Sequence, residues 1–245
     1  MKKLGAAAVF AVLPVLTSFG VDFSLSSGGG ALLGGLFTRY TLTAGGTNLG
    51  DAVSRQEMNQ VKYGGYLFFD AVWAEVSVGL QGGAGTYREE MSVSSRGTVS
   101  DDKGKGKEMM VGIVLLGKYP FRLNRQFAVF PLAGIEYQIA LREYRDPETG
   151  GEYDRTDGIR ENDSNGGAYR LPAWNSFFID IGAGLDFNFD PRLFLRAEFL
   201  YVFRLKTPYE TDALEKVKKM LNAPDPKLAG LTSGPVLRVG LGYTL

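Results

Sequence analysis

The sequence predicts an all-β protein, an eight-stranded antiparallel up-and-down β-barrel that crosses a membrane. Apolar and polar residues alternate with a period of two along most of the chain, which indicates strands with two different faces. The connections between these strands are alternately short and long, as in barrels that have short turns on one rim. After the first 20 residues, no apolar run approaches the roughly 20 residues that a spanning helix needs. A membrane form of this chain therefore has to be a barrel.

The strands are expected at regular intervals, and each has about ten residues or more, the length that a tilted membrane strand requires. They span about residues 30–43, 60–71, 72–88, 107–119, 126–143, 174–189, 192–206 and 235–245. The first strand is interrupted by Gly28-Gly29-Gly30 and Gly34-Gly35, where we expect a bulge or a bend. The last strand alternates without interruption from Leu237 to Leu245.

The connections also alternate in length. Short ones fall at Asp70 to Trp73, at Pro120 to Arg125 and at Asp190 to Arg192, whereas long polar ones cover about 44–59, 89–106, 144–173 and 207–234. The short turns and both termini of the barrel domain are expected on the periplasmic rim. In the fourth long connection, Asp212 and Glu215 form a capping box for one helix. This helix could cover the mouth of the barrel or pack against neighbouring loops.

Residues 1–20 are predicted to be a secretory signal peptide, which leaves 21–245 as the transmembrane barrel domain. Lys2 and Lys3 precede a short apolar segment from Ala6 to Leu16, and Ser18-Phe19-Gly20 supplies small residues for cleavage.

Composition excludes several functions. The 245-residue chain has 27 basic and 27 acidic residues, a balance that gives no indication of nucleic-acid binding. It contains no Cys and no His, which removes disulfides, the usual general base and the commonest zinc ligand. The acidic third loop could hold calcium, but its spacing matches no EF-hand. We expect no cofactor, no metal, no nucleic-acid partner and no enzymatic activity.

Periodicity alone does not say which face of the strands points outward, because a soluble barrel also has one apolar face. Here the polar face combines glycines with charges of both signs, which suits a narrow interior held together by ion pairs. The predicted polar network of the lumen comprises Asp70, Glu75, Glu136, Arg142, Asp180, Asp186, Arg196, Glu198, Arg204 and Arg238. The predicted interfacial aromatic residues are Trp73, Tyr119, Trp174, Phe187 and Tyr243.

Four of these carboxylates could also converge as in a glycosidase, namely Glu136, Asp180, Asp186 and Glu198. A set of structural salt bridges is the better interpretation, and no catalytic residue is predicted.

Residues 21–245 resemble the small eight-stranded barrels of bacterial outer membranes, the OmpW/OmpA-like and opacity-type proteins. The last strand, which closes on Tyr243 and Leu245, resembles the terminal strand that such proteins present to the barrel assembly machinery. The resemblance implies a monomer in the bacterial outer membrane, in contact with its lipids. We expect a narrow pore or channel for small solutes. The alternatives are a surface-exposed adhesin or ligand-binding protein that binds an extracellular ligand through its long loops, and a structural outer-membrane protein.

Overall fold

The computed structural model describes residues 25–47, 50–71, 73–94, 97–147, 153–154, 175–205 and 226–245. The predicted signal peptide, most of the acidic third loop and the predicted helix at Asp212 lie outside the described residues. In the part of the chain that is described, no helix is long and apolar enough to cross a membrane.

The described residues form long antiparallel strands together with two strands of two residues. The bounds are β1 Leu25–Thr47, β2 Gly50–Ala71, β3 Ala74–Val93, β4 Gly97–Lys118, β5 Phe121–Arg122, β6 Phe127–Pro147, β7 Tyr153–Asp154, β8 Ser176–Asn188, β9 Leu193–Arg204 and β10 Lys227–Thr244. The eight long strands pair in the order β4-β3-β2-β1-β10-β9-β8-β6, and β6 pairs with β4 to close the ring. Closure leaves none of these eight strands with an unpaired edge.

The first and last long strands in chain order, β1 and β10, pair with each other over most of their length. Ser26 pairs with Thr244 at one end of this seam, and Thr43 pairs with Lys227 at the other. The short turns therefore share a rim with the start of β1 and the end of β10, as the sequence predicts.

Apolar side chains cover the outside of the ring. On β2, for example, Leu67 is 72% exposed, whereas its neighbours Tyr66 and Phe68 are buried inside. A soluble protein rarely exposes a continuous apolar belt of this kind, whereas lipid covers it in a membrane barrel. The alternation thus has its apolar face outward, as predicted.

Two predicted long loops are wrong. Strands β1 and β2 pair up to Thr47 and Gly50, and β3 and β4 pair up to Val93 and Gly97, so most of 44–59 and 89–106 is strand. The polar sequence concealed these extensions because backbone pairing holds the strands together there, and among the described residues only a small apolar cluster of Ala44, Ala52 and Val93 is buried between the two hairpins.

The expected bulge in the first strand is also absent from the pairing of β1 with β2. The register runs without a shift from Leu25 to Ala44. The glycines instead allow close approach, since a Cβ on Gly30 would lie 2.1 Å from the carbonyl oxygen of Val239 on β10.

Candidate functional site

Near the short-turn rim, the lumen is occupied by Arg196 of β9, whose side chain is 1% exposed. Its Nε and Nη2 donate to the two carboxylate oxygens of Asp186 at 2.7 and 2.8 Å. Nη1 donates to Glu75 at 2.8 Å, and Nη2 also donates to Asp70 at 2.8 Å. One guanidinium therefore joins carboxylates from β2, β3 and β8 and spans the barrel.

A second arginine shares this network from β10. Nη2 of Arg238 donates to Oε1 of Glu75 and to Oγ of Ser77, both at 2.9 Å. Its Nη1 lies 3.1 Å from Oε2 of Glu198. Lys118 forms a further ion pair with Asp70 on the side of the short turns. Isolated charges at this depth would be very costly, and their pairing is what allows them to be buried.

Three aromatic rings enclose the Arg196 guanidinium. Its Cζ lies 4.9 Å from the ring centre of Phe68, 5.2 Å from that of Phe130 and 5.0 Å from that of Phe194. The aromatic faces are attractive surfaces for a desolvated cation.

Each of these rings covers a glycine on the neighbouring strand. Phe68 is paired with Gly28, Phe130 with Gly184 and Phe194 with Gly242. A Cβ on any of the three glycines would lie 2.1 to 2.5 Å from an atom of the paired ring. The glycines on the inner face therefore provide the space in which the rings turn toward Arg196.

A second polar layer lies nearer the rim opposite the short turns, which is called the long-strand rim below. Glu136 accepts hydrogen bonds from Nε2 of Gln81 and Nε2 of Gln138, both at 2.8 Å. Lys62 is 1% exposed and places its ammonium 5.4 Å from the ring centre of Phe178. Asp180 is fully buried, and neither carboxylate oxygen has a hydrogen-bond partner in the described structure.

Apolar side chains fill much of the remaining lumen. The buried cluster consists of Leu32, Leu36, Val114, Leu116, Phe130, Leu132, Phe178, Leu200, Val202 and Val236. A cavity of about 20 Å³ lies between this cluster and the Arg238 and Asp180 side chains, which is space for about one water molecule. A larger cavity of about 590 Å³ lies at the short-turn rim, where Arg196 and Asp70 form part of its wall.

The predicted network residues thus occupy different places. Asp70, Glu75, Asp186, Arg196, Glu198 and Arg238 meet in one network, whereas Glu136 and Asp180 lie in the second layer. Arg204 is nearer the long-strand rim, where Nη2 donates to the Tyr40 hydroxyl at 2.5 Å.

Arg142 does not lie where the sequence predicted it. The register of β6 against β4 shifts between Met109 and Met110, so that Arg142 pairs with Met109, whose side chain is 40% exposed on the outer wall. Arg142 is exposed as well. One extra residue in β6 reverses the alternation, a displacement that period-two counting cannot anticipate.

The predicted interfacial aromatics that can be described gather at one rim. Trp73, Tyr119, Phe187 and Tyr243 lie at or next to the short turns, and Tyr243 accepts a hydrogen bond from Arg192 at 3.0 Å. Trp174 lies outside the described residues. A second group of outward aromatics lies toward the other rim and comprises Phe37, Tyr63, Tyr137, Phe177 and Tyr201.

Sequence reasoning missed several lumen residues. Lys62, Lys118 and the rings of Phe68, Phe130 and Phe194 all have the parity of the polar face. Phe194, for instance, is two residues before Arg196 on the same strand. Strict parity would have found all five residues. The apolar character of the three rings concealed them on a face that was expected to be polar, whereas the two lysines fit that face and were overlooked.

The arrangement is suited to sealing and stiffening a barrel. Among the described residues, no group of three acidic side chains is placed to hold a metal ion. The closed ring, the outward apolar belt and the internally paired charges define a transmembrane β-barrel of the bacterial outer-membrane type.

Comparisons with known proteins add similarities of fold. The chain is similar to Neisserial surface protein A, NspA, at 12% identity and a TM-score of 0.37, over 91% of this chain and 99% of that one. It is similar to OprG from Pseudomonas aeruginosa at 10% identity and a TM-score of 0.34, over 89% of this chain and 96% of that one. It is also similar to the outer membrane protease OmpT from Escherichia coli at 8% identity and a TM-score of 0.32, over 92% of this chain and 99% of that one. No family model and no curated protein matches the chain.

Proposed function

We propose that this integral outer-membrane barrel has a closed lumen and acts at the cell surface, binding an extracellular ligand through the strands that rise above its apolar belt. The observation that carries the proposal is the placement of Arg196, which joins carboxylates from β2, β3 and β8 across the interior. Because side chains fill the cross-section of this barrel, solutes have no open path through the lumen, and a ligand would bind at one of its two ends.

The extended hairpins supply the binding surface in this proposal. Strands β1 to β4 have 20 to 23 residues each, about twice the number needed to cross the membrane. Beyond the belt they carry exposed ion pairs, between Arg39 and Glu57 at 3.0 Å and between Arg88 and Asp101 at 2.9 Å. Paired strands lose less conformational entropy on binding than free loops do.

The proposal includes no catalysis. The chain contains no His and no Cys, so the usual pairing of a nucleophile with a histidine base cannot be formed.

A pore is the second candidate, and one observation favours it. The cavity of about 590 Å³ leads from the short-turn rim to Arg196 and Asp70, as a vestibule would. Conduction would then require Arg196 to leave its three carboxylates, so a pore in this barrel would have a gate at that residue.

The first experiment is the conductance of the refolded mature protein in a planar bilayer, after an unboiled gel has shown the heat-sensitive folded band. We expect no discrete openings. Reproducible unitary currents from folded protein would overturn the closed-lumen proposal and favour the gated pore.

The second experiment tests the surface role. Cells that express the barrel are compared with cells expressing a variant in which Glu90 to Asp101 is replaced by Asn-Gly, a two-residue turn that closes the β3–β4 hairpin lower down. Attachment to immobilised extracellular-matrix protein should fall in the variant. Equal attachment by both, at equal surface expression, would reject this hairpin as the binding surface.

A further inference from the structure

The cavity at the short-turn rim has the size of a small-molecule site. Its volume is about 590 Å³, and such sites typically have volumes of about 300–1,000 Å³. Arg196 and Asp70 form its inner end, whereas the β5–β6 turn (residues 123–126) and the β8–β9 turn (residues 189–192) form its mouth. The cavity lies at the opposite end of the barrel from the extended hairpins, so a ligand bound here does not depend on the proposed surface function.

The two turns at the mouth are fixed to each other by hydrogen bonds. Oδ1 of Asn124 accepts from the backbone N of Gln126 and of Phe127, both at 2.8 Å. Asn188, at the end of β8, donates to the carbonyl oxygen of Gln126 from its backbone N at 2.7 Å and from Nδ2 at 3.2 Å. The walls of the cavity are therefore in place before a ligand arrives, which lowers the entropic cost of binding.

One side of the mouth carries two arginines. Arg122 of β5 and Arg125 of the β5–β6 turn line the cavity and are exposed. Neither forms an ion pair with another residue of the described chain, whereas the deeper Lys118 is already paired with Asp70. A guanidinium presents a planar fork of donors that matches a carboxylate. This side of the mouth therefore favours an anionic group.

The adjoining side of the mouth carries carboxylates. Arg122 pairs with Ala128 of β6, and Ala128 pairs with Asp186 of β8, so Arg122 and Asp186 lie two strand spacings apart, about 10 Å. Asp186 accepts from Arg196, but a carboxylate has about four acceptor sites and this side chain is 16% exposed. Asp190 lies in the β8–β9 turn and is exposed at the mouth. This side of the mouth therefore favours a cationic group.

A ligand that satisfies both sides carries a carboxylate and an ammonium group at separate ends. An extended peptide spans about 3.5 Å per residue, so about three residues cover the distance of roughly 10 Å between the two sides. The side-chain amides of Asn124 and Gln126 line the same cavity and supply donors and acceptors for peptide groups. A phosphate group fits less well, because its oxygens would meet the carboxylates of Asp186 and Asp190 without a donor.

We propose that this cavity binds short peptides of about three residues with free ends. Arg122 and Arg125 hold the terminal carboxylate, and Asp186 and Asp190 accept hydrogen bonds from the terminal ammonium group.

Calorimetric titration of the refolded mature protein in an uncharged detergent tests the proposal. The probe is trialanine, whose methyl side chains add no polar contacts, and we expect a dissociation constant below about 1 mM. Amidation of its carboxyl end should weaken binding at least about tenfold, because charge-assisted hydrogen bonds are lost. The Arg122→Gln, Arg125→Gln variant should bind trialanine as weakly and should no longer distinguish it from the amide.

The amino end of the peptide has its own readout. Asp190→Asn removes the charge but keeps the side-chain oxygen that accepts from the backbone N of Arg192 at 3.0 Å. N-acetylated trialanine should bind the unaltered protein more weakly than trialanine does, and this preference should shrink in Asp190→Asn. An unchanged preference would overturn the placement of the ammonium group.

A matched control keeps the total charge change of the arginine variant the same. The Arg55→Gln, Lys105→Gln variant also loses two exposed cations, but at the long-strand rim, and should bind trialanine normally. Equal loss in both variants would reduce the effect to net charge and overturn the proposal. So would the absence of measurable trialanine binding, or amidated trialanine or inorganic phosphate binding as tightly as trialanine. Arg125→Gln alone replaces the double variant if the latter lacks the heat-sensitive folded band.

Discussion

Arg196 and Glu75 are 121 residues apart in the chain, yet Nη1 of Arg196 donates to Oε2 of Glu75 at 2.8 Å. Their strands, β9 and β3, are four places apart in the ring of eight and therefore lie on opposite walls. The hydrogen bond therefore joins opposite walls across the full width of the barrel. It connects opposite halves of the sheet directly through the lumen, as the hydrogen bond from Arg238 to Glu75 also does between strands three places apart.

Replacing Arg196 with Met should destabilise the barrel by about 3–5 kcal/mol, because it leaves the carboxylates of Glu75, Asp70 and Asp186 buried without their shared cation. Urea unfolding of the refolded protein, followed on unboiled gels, measures the loss. Arg122→Met, at an exposed position of the short strand β5, is the control and should leave the midpoint unchanged. A stable Arg196→Met barrel would show that the network is not needed for folding.

Glu75 and Arg238 should be energetically coupled, since Nη2 of Arg238 donates to Oε1 of Glu75 at 2.9 Å. A double-mutant cycle with Glu75→Gln and Arg238→Met should give an interaction energy of about 0.5–3 kcal/mol. The same cycle with Arg204, which contacts Tyr40 instead, should be additive within about 0.5 kcal/mol. Additivity in both cycles would contradict the shared network.

Gly184→Ala should destabilise the barrel by about 1–3 kcal/mol, because the added methyl would lie 2.2 Å from the ring of Phe130 and displace it from Arg196. Gly65→Ala is the matched control. The nearest atom to its new methyl is the carbonyl oxygen of Gly30 at 3.6 Å, an ordinary contact. Urea midpoints of the two variants check this, and equal midpoints would exclude the fit between ring and glycine as the cause.

The Arg88–Asp101 pair on the extended β3–β4 hairpin should respond to acid. The hydrogen bonds from Arg88 lower the pKa of Asp101 below its ordinary value of 3.8. A depressed carboxylate pKa stabilises the folded hairpin above the ordinary pKa, and this contribution is lost as the pH falls through the lowered pKa. An NMR titration should give a midpoint below 3.8, and Arg88→Gln should return it toward 3.8. A midpoint that does not move would show that the pair is not formed in solution.

The local sequence pattern was sufficient to predict most of the membrane-spanning strands and their two faces. In β8, the alternation of Ile179, Asp180 and Ile181 identified both the strand and its two faces, because neighbouring side chains of a strand point to opposite sides. The Asp190-Pro191-Arg192 turn was equally visible, since proline and aspartate favour turns for local conformational reasons.

The strand extensions and the position of Arg142 could not be obtained in this way. Polar residues such as Glu57 and Arg88 are in strands because the partner strand satisfies their backbone groups, and the identity of that partner is not a local property. The outward position of Arg142 depends on one unpaired residue in the register between β4 and β6.

The sequence by itself determined that strands with one apolar face would form, where the short turns would lie, and that acidic and basic side chains would share the inner face. Only the tertiary structure decided which of these side chains meet. The partners of Arg196 come from β2, β3 and β8, and their height in the lumen depends on the tilt and stagger at which the ring closes. That stagger is a property of all eight strands together, and no single segment of the chain encodes it.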